Sequence, residues 1–326
     1  MNVVLRLGVL ALAALAVVCA ALCIGPTKLL DLPHLFDLLR FGASTPELER
    51  ASLVLWELRL PRVLLAAAAG ANLALGGLLL QAIFRNPLAE PYLLGLSSGG
   101  ALGAVIALAA GITSVTWPAL VGSLLIAAIV LMFCRQRIAA DLPSLLLVGV
   151  ALGALAQAFT TAIILRFDPG ALRSILFWLM GSFAGRGWTE VWLLAPAAML
   201  GVVMAWILHR PLDLLALGGE SAHHLGVRVA ALQMAGIALA SALAALTVAT
   251  CGSIGFVGLM APHLARRLVG APHGVAIPAT ALLGVILTVG ADLAARTVLA
   301  GTELPVGVIT GAFGCIFFLA LLRQKN

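Results

Sequence analysis

The run Gln81-Ala-Ile-Phe-Arg-Asn-Pro-Leu-Ala-Glu-Pro91 joins two long apolar segments. It carries an Arg–Glu pair, an Asn and two prolines. Each proline fixes φ and lacks an N–H donor, so the link is stiff. A stiff polar link at a membrane boundary predicts a functional surface or a constriction. A second group of polar residues comprises Glu57-Leu-Arg-Leu-Pro-Arg62, Asp292, Arg296 and Glu303. Ionisable residues beside spans are costly and commonly functional. Outward-facing arginines here would receive carboxylates of a docking protein as bidentate pairs. The alternative is a set of snorkelling anchors with local ion pairs. A third group lies at 213–227, which is too polar to span. It reads as two short helices broken at Gly218-Gly219 and closed by Gly226, because a glycine inside a helix costs about 1 kcal/mol. Such an elbow on the cytoplasmic face suits a soluble partner. An ordinary interfacial loop is the plainer alternative.

Catalytic chemistry finds little support. The chain has no H-E-x-x-H, no G-x-S-x-G and no G-x-x-x-x-G-K-[ST] phosphate loop, and its only lysines are Lys28 and Lys325. No catalytic residue, metal ligand or bound cofactor is expected. The five cysteines have no C-x-x-C spacing and read as small apolar packing residues. The six histidines are dispersed, and the adjacent His223 and His224 point in different directions on a helix. An intramembrane enzyme would need a clustered nucleophile or metal site. An ion-coupled secondary transporter, the alternative function, would need a titrating carboxylate in mid-membrane. Asp292 is the one candidate for that, and it falls near the outer end of its span.

The elements that position these residues are membrane helices. Hydrophobic residues make up 63% of the 326 and charged residues 10%, against roughly 25% charged in soluble chains. Ten apolar stretches are each read as a span: 5–25, 60–83, 93–111, 116–134, 143–165, 191–208, 229–250, 253–268, 275–299 and 305–322. The first begins after Arg6 like a signal peptide but is long enough to span, with no clean cleavage site before Pro26. The fold class is therefore all-α: one polytopic membrane domain over 1–326, with 213–227 as a cytoplasmic insertion. With both termini inside, ten of the 19 Lys and Arg lie inside, in short links beside span ends where the positive-inside rule acts most strongly. The net charge of +6 thus faces membrane lipid and the cytoplasm, and no nucleic acid is expected as a partner. Residues 169–185 read as a short helix lying at the outer interface. Gly95, Gly99, Gly100 and Gly103 allow close helix packing or line a pathway.

Several segments stand in an order that resembles the FecCD-type permeases of ABC importers for ferric siderophores, haem and cobalamin. They are Leu58-Arg-Leu-Pro-Arg62, the 81–91 link, Gly95-Leu-Ser-Ser-Gly-Gly100, the elbow from Ala216 to Gly226, Gly255-Phe-Val-Gly-Leu-Met-Ala-Pro-His263 and Glu303-Leu-Pro-Val-Gly307. The resemblance implies about ten helices with inverted repeats and a dimer with a second copy of the permease. It also implies two ATP-binding subunits inside, which would hold ATP and Mg, and a periplasmic substrate-binding protein outside. The setting would be the bacterial inner membrane. It further implies site roles. Asn86 and Leu88 would form a cytoplasmic gate, with Pro143 and Ser144 as a second gate, although Pro143 departs from the commonest form of that loop. Ala216, Gly218, Glu220, Leu225 and Gly226 would couple to the ATPase. Arg59, Arg62 and Arg296 would receive the binding protein, and the 169–185 helix would act as an outer gating helix.

Overall fold

Every apolar stretch coincides with a helix, the form in which a chain in lipid satisfies its own backbone groups. The computed structural model describes residues 2–25, 45–137, 142–299 and 302–323, and all regular structure among them is helical. Helix α1 (Val3–Cys23) comes first. Helix α2 (Pro46–Leu53) runs through a π-helical turn, Val54–Arg59, into α3 (Leu60–Ile83). The wide turn has a local cause in Pro61. Proline cannot donate to the carbonyl four residues back, and its ring would strike that carbonyl.

Helix α4 (Leu96–Ala109) follows a 3-10 turn at Pro91–Leu94. Then come α5 (Thr116–Arg137), α6 (Leu142–Ile164), the short α7 (Pro169–Leu179) and α8 (Trp188–Ile207). The elbow is α9 (His209–Ala216) and α10 (Gly219–His224). The chain finishes with α11 (Val229–Cys251), α12 (Val257–Val269), α13 (His273–Thr297) and α14 (Val306–Arg323). Among the described residues, seven helical runs are long and apolar enough to cross a bilayer, and α4 and α14 are shorter apolar helices.

Two predicted spans are shorter than their apolar stretches. Residues 93–111 yield only the 14 residues of α4, because Gly95 turns the chain at φ 78°. Residues 253–268 yield the 13 residues of α12, because Gly252 and Phe256 have φ of 74° and 68°. The two irregular entries meet. The Ile254 N–H donates to the Tyr92 hydroxyl at 2.9 Å, and the Ser97 hydroxyl donates to Ser253 at 2.7 Å. The Glu90 carboxylate accepts the Phe256 N–H. Non-helical backbone among spans is tolerated where protein groups satisfy it.

Helix α3 is the axis of the bundle, buried along nearly its whole length against α13, α11, α8 and α12. Glycines permit this. A Cβ on Gly77 would lie 1.8 Å from the Gly258 carbonyl oxygen, so α3 and α12 touch backbone to backbone. Gly70 meets Gly284 on α13 in the same way. Beside it, the Thr288 hydroxyl donates to the Ala66 carbonyl at 2.8 Å. Without a hydrophobic drive between helices in lipid, such close packing and cross-helix hydrogen bonds hold the bundle.

Candidate functional site

The polar residues gather at the two ends of the α3–α13 pair. At the end expected to face outward, Arg62 forms a fork with two carboxylates. Its Nη2 lies 2.9 Å from Asp292 Oδ1, and its Nη1 lies 3.0 Å from Glu303 Oε2. Arg296 Nε lies 3.3 Å from the other Asp292 oxygen. Asp292 is fully buried, with these two arginines as its ion-pair partners. Arg59 Nη1 donates to the Leu22 and Cys23 carbonyls, both at 2.7 Å, and Arg296 Nη2 donates to the Ala21 carbonyl at 2.9 Å. Those carbonyls end α1 and have no helical partner, and the negative end of the helix favours a cation there.

Of the three arginines expected to receive the binding protein, all line one cavity, and two are also engaged by α1. Arg59 and Arg296 are only 4% and 6% exposed and turn toward α1. Arg59 is the last residue of the π-helical turn before Pro61. Arg62 keeps one edge at an outer cavity of about 470 Å³. Arg59, Arg186, Arg296, Glu57 and Glu303 line it too. Arg186 escaped the sequence reading, and its buried Nε has no hydrogen-bond partner among the described residues.

At the inner end, the 84–90 link folds on itself. Asn86 Oδ1 accepts the Leu88 N–H at 2.9 Å, an Asx turn that fixes the link without help from its neighbours. Arg85 adopts a left-handed φ of 48°. Leu88 stands 42% exposed at the tip. Gln81, just before, bridges α3 to α12. Its amide donates to the Gly258 carbonyl at 3.2 Å, and its oxygen accepts from Arg266. The second gate segment opens α6. Ser144 is half-buried in the first turn, and the Pro143 side chain lies outside the described residues.

The elbow breaks where predicted. Gly218 has φ 117° and Gly226 has φ 87°, which non-glycine residues rarely adopt. It starts earlier than the expected 213, because α9 begins at His209 directly after α8. Ala222, Leu212 and Leu215 are buried and anchor it. Ala216, Leu217, Glu220, Leu225 and Gly226 are exposed and form its outer surface. A Cβ on Gly218 would lie 4.0 Å from Arg85 Nη1, so the elbow abuts the link. Asp213 on α9 reaches the start of α13. Its Oδ1 accepts both the His273 N–H at 2.9 Å and the His273 ring Nδ1 at 2.7 Å.

The expected outer helix is α7, which stops at Leu179 because Gly181 takes φ 75°. No group of three metal-ligating side chains occurs among the described residues.

The profile of the FecCD transport family matches residues 7–324. The Fe(3+)-citrate import system permease protein YfmE of Bacillus subtilis is 37% identical over 98% of this chain and 93% of its own length. The vitamin B12 import system permease protein BtuC of Klebsiella pneumoniae is 38% identical over 85% of each chain. A solved metal-chelate type ABC transporter in an inward-facing conformation superposes with a TM-score of 0.85 at 34% identity, covering 98% of both chains. By its helical bundle and these matches, this multi-pass membrane protein belongs to the FecCD transport family and is a permease of the ABC importer type.

Proposed function

We propose that this permease carries an intact iron chelate inward across the bacterial inner membrane by alternating access. The reading unites the whole chain, 1–326, as one transport domain with 213–227 as its coupling insertion. The contact between the elbow and the 84–90 link carries it. An ATPase that displaces the elbow would displace Arg85 and, through the Asx turn, Asn86 and Leu88. ATP and Mg belong to that partner, since this chain has no phosphate loop. Ala216, Gly218, Glu220, Leu225 and Gly226 are the coupling residues, and Asn86, Leu88, Pro143 and Ser144 form the gates. α7 is the outer gating helix.

A second copy of the chain is proposed to complete the path. Helix α6 leaves the Gln157 side chain exposed among apolar neighbours, and polar side chains facing lipid are costly. The binding protein is proposed to dock over the outer cavity. Arg62 and Arg186 form the accessible part of that site, and Arg59 and Arg296 hold its floor. A likeness to a Fe(3+)-citrate permease along nearly the full chain supports an iron chelate as cargo. The vitamin B12 permeases, similar over a smaller share, make cobalamin the second reading.

Gly226→Pro tests the coupling. Proline holds φ near −65°, which the observed 87° excludes. The expected result is loss of ATPase co-purification with the permease still folded. Unchanged co-purification would refute the coupling role. ATP-dependent uptake of labelled ferric citrate and of cobalamin into liposomes holding the full complex then separates the two cargoes.

A further inference from the structure

Helix α13 is tied at both ends to the pieces that must communicate. Its first residue, His273, receives Asp213 of the elbow through both the backbone N–H and the ring. Its second, Gly274, packs under the His209 ring of the same elbow, where an added Cβ would lie 3.3 Å from the His209 Cδ2. Its outer end bears Asp292 and Arg296, which hold Arg62 and the end of α1. Between these ends, Gly284 and Thr288 lock it to α3 without slack. A helix of 25 residues is about 37 Å long, the depth of the whole membrane.

A free helix N-terminus leaves four N–H groups unmatched, and capping residues usually come from the preceding turn. Here the cap comes from a different element, 60 residues earlier in the chain. A cap of that kind constrains two elements to move together.

We propose that α13, in which Pro278 removes one hydrogen bond near the inner end, is a rod that transmits displacement of the elbow to the outer arginine cluster, with Asp213 and His273 as its inner joint. This rests on the reading of 213–227 as the ATPase-coupling segment. The rod makes the two faces thermodynamically linked. Nucleotide bound to the ATPase then changes the affinity for the binding protein by the same factor as the reverse. His273 is a positioning residue in this account and touches neither partner.

His273→Pro is the cleanest variant. Pro272 already has φ −58° and ψ 130°, the conformation a residue before proline prefers, and His273 is the first helical position, where proline is favoured. The substitution removes both bonds to Asp213 and leaves α13 able to form. His273→Ala removes the ring bond alone and keeps the N–H.

The experiment uses the whole complex of permease, ATPase and binding protein in nanodiscs. Binding-protein affinity is measured with and without a non-hydrolysable ATP analogue. His273→Pro is expected to co-purify with the ATPase in the normal ratio, to keep basal ATP hydrolysis, and to unfold at the same temperature. Its nucleotide effect on binding-protein affinity is expected to shrink at least about fivefold, the lower end of ordinary coupling strengths. His273→Ala should fall between it and the unaltered chain. An undiminished nucleotide effect in His273→Pro overturns the rod. Loss of the ATPase from His273→Pro also overturns it, because the joint would then belong to the ATPase seat. If the ATPase fails to co-purify with the unaltered permease, the coupling reading itself falls, and the rod with it.

Discussion

Asp292 shows how one residue decides between two kinds of transporter. An ion-coupled carrier would need a lone carboxylate in mid-membrane, whereas Asp292 lies near the end of α13 between Arg62 and Arg296. Asp292→Ala would leave the buried Arg296 without its carboxylate and Arg62 with Glu303 alone. Breaking such a pair costs about 3–5 kcal/mol. The expected outcome is a large drop in unfolding temperature in detergent, and a shift within error would contradict the pairing. Arg59 makes a related point. Charge reversal there would set a carboxylate against the Leu22 and Cys23 carbonyls, so Arg59→Glu is expected to destabilise the fold before it reports on docking. Arg186→Gln is the better probe of docking, because Arg186 lines the cavity from a loop outside that network. Binding-protein affinity is expected to fall about tenfold, within the range of interface arginines. Unchanged affinity would move the docking site elsewhere.

At the scale of elements, the close approach of α3 to its neighbours invites a direct test. Gly77→Ala would drive a methyl into the Gly258 carbonyl and is expected to cost about 1–3 kcal/mol by overpacking. Gly8→Ala, where nothing lies within 4 Å, serves as the control and should not lower the unfolding temperature. These elements were largely legible in the sequence. Hydropathy located the helices, and Gly218 and Gly226 marked the elbow because positive φ has a strong residue preference. Helix lengths at Gly95 and Phe256 were not legible. Apolar composition continues through both irregular entries, whose positive-φ turns are held by pairing of Tyr92, Ser97 and Glu90 with residues distant in sequence. The engagement of Arg59 by α1 was hidden for a similar reason. Hydropathy does not tell which face an arginine occupies. The Asp213 cap on His273 has no local signal at all, since capping patterns are read within one turn.

For the whole molecule, function follows from where the polar residues stand on an apolar frame. The α3–α13 pair has an arginine–carboxylate cluster at the outer end and the link and elbow at the inner end. The order of motifs along the sequence pointed to the permease family, and the fold places Arg62 and Gln81, which belong to two of those motifs, at opposite ends of α3. Native mass spectrometry of the chain, extracted gently with its neighbours, tests the central claim most directly. The account predicts two copies of this permease with two ATP-binding subunits. A lone chain that transports an iron chelate in liposomes without ATP would contradict it.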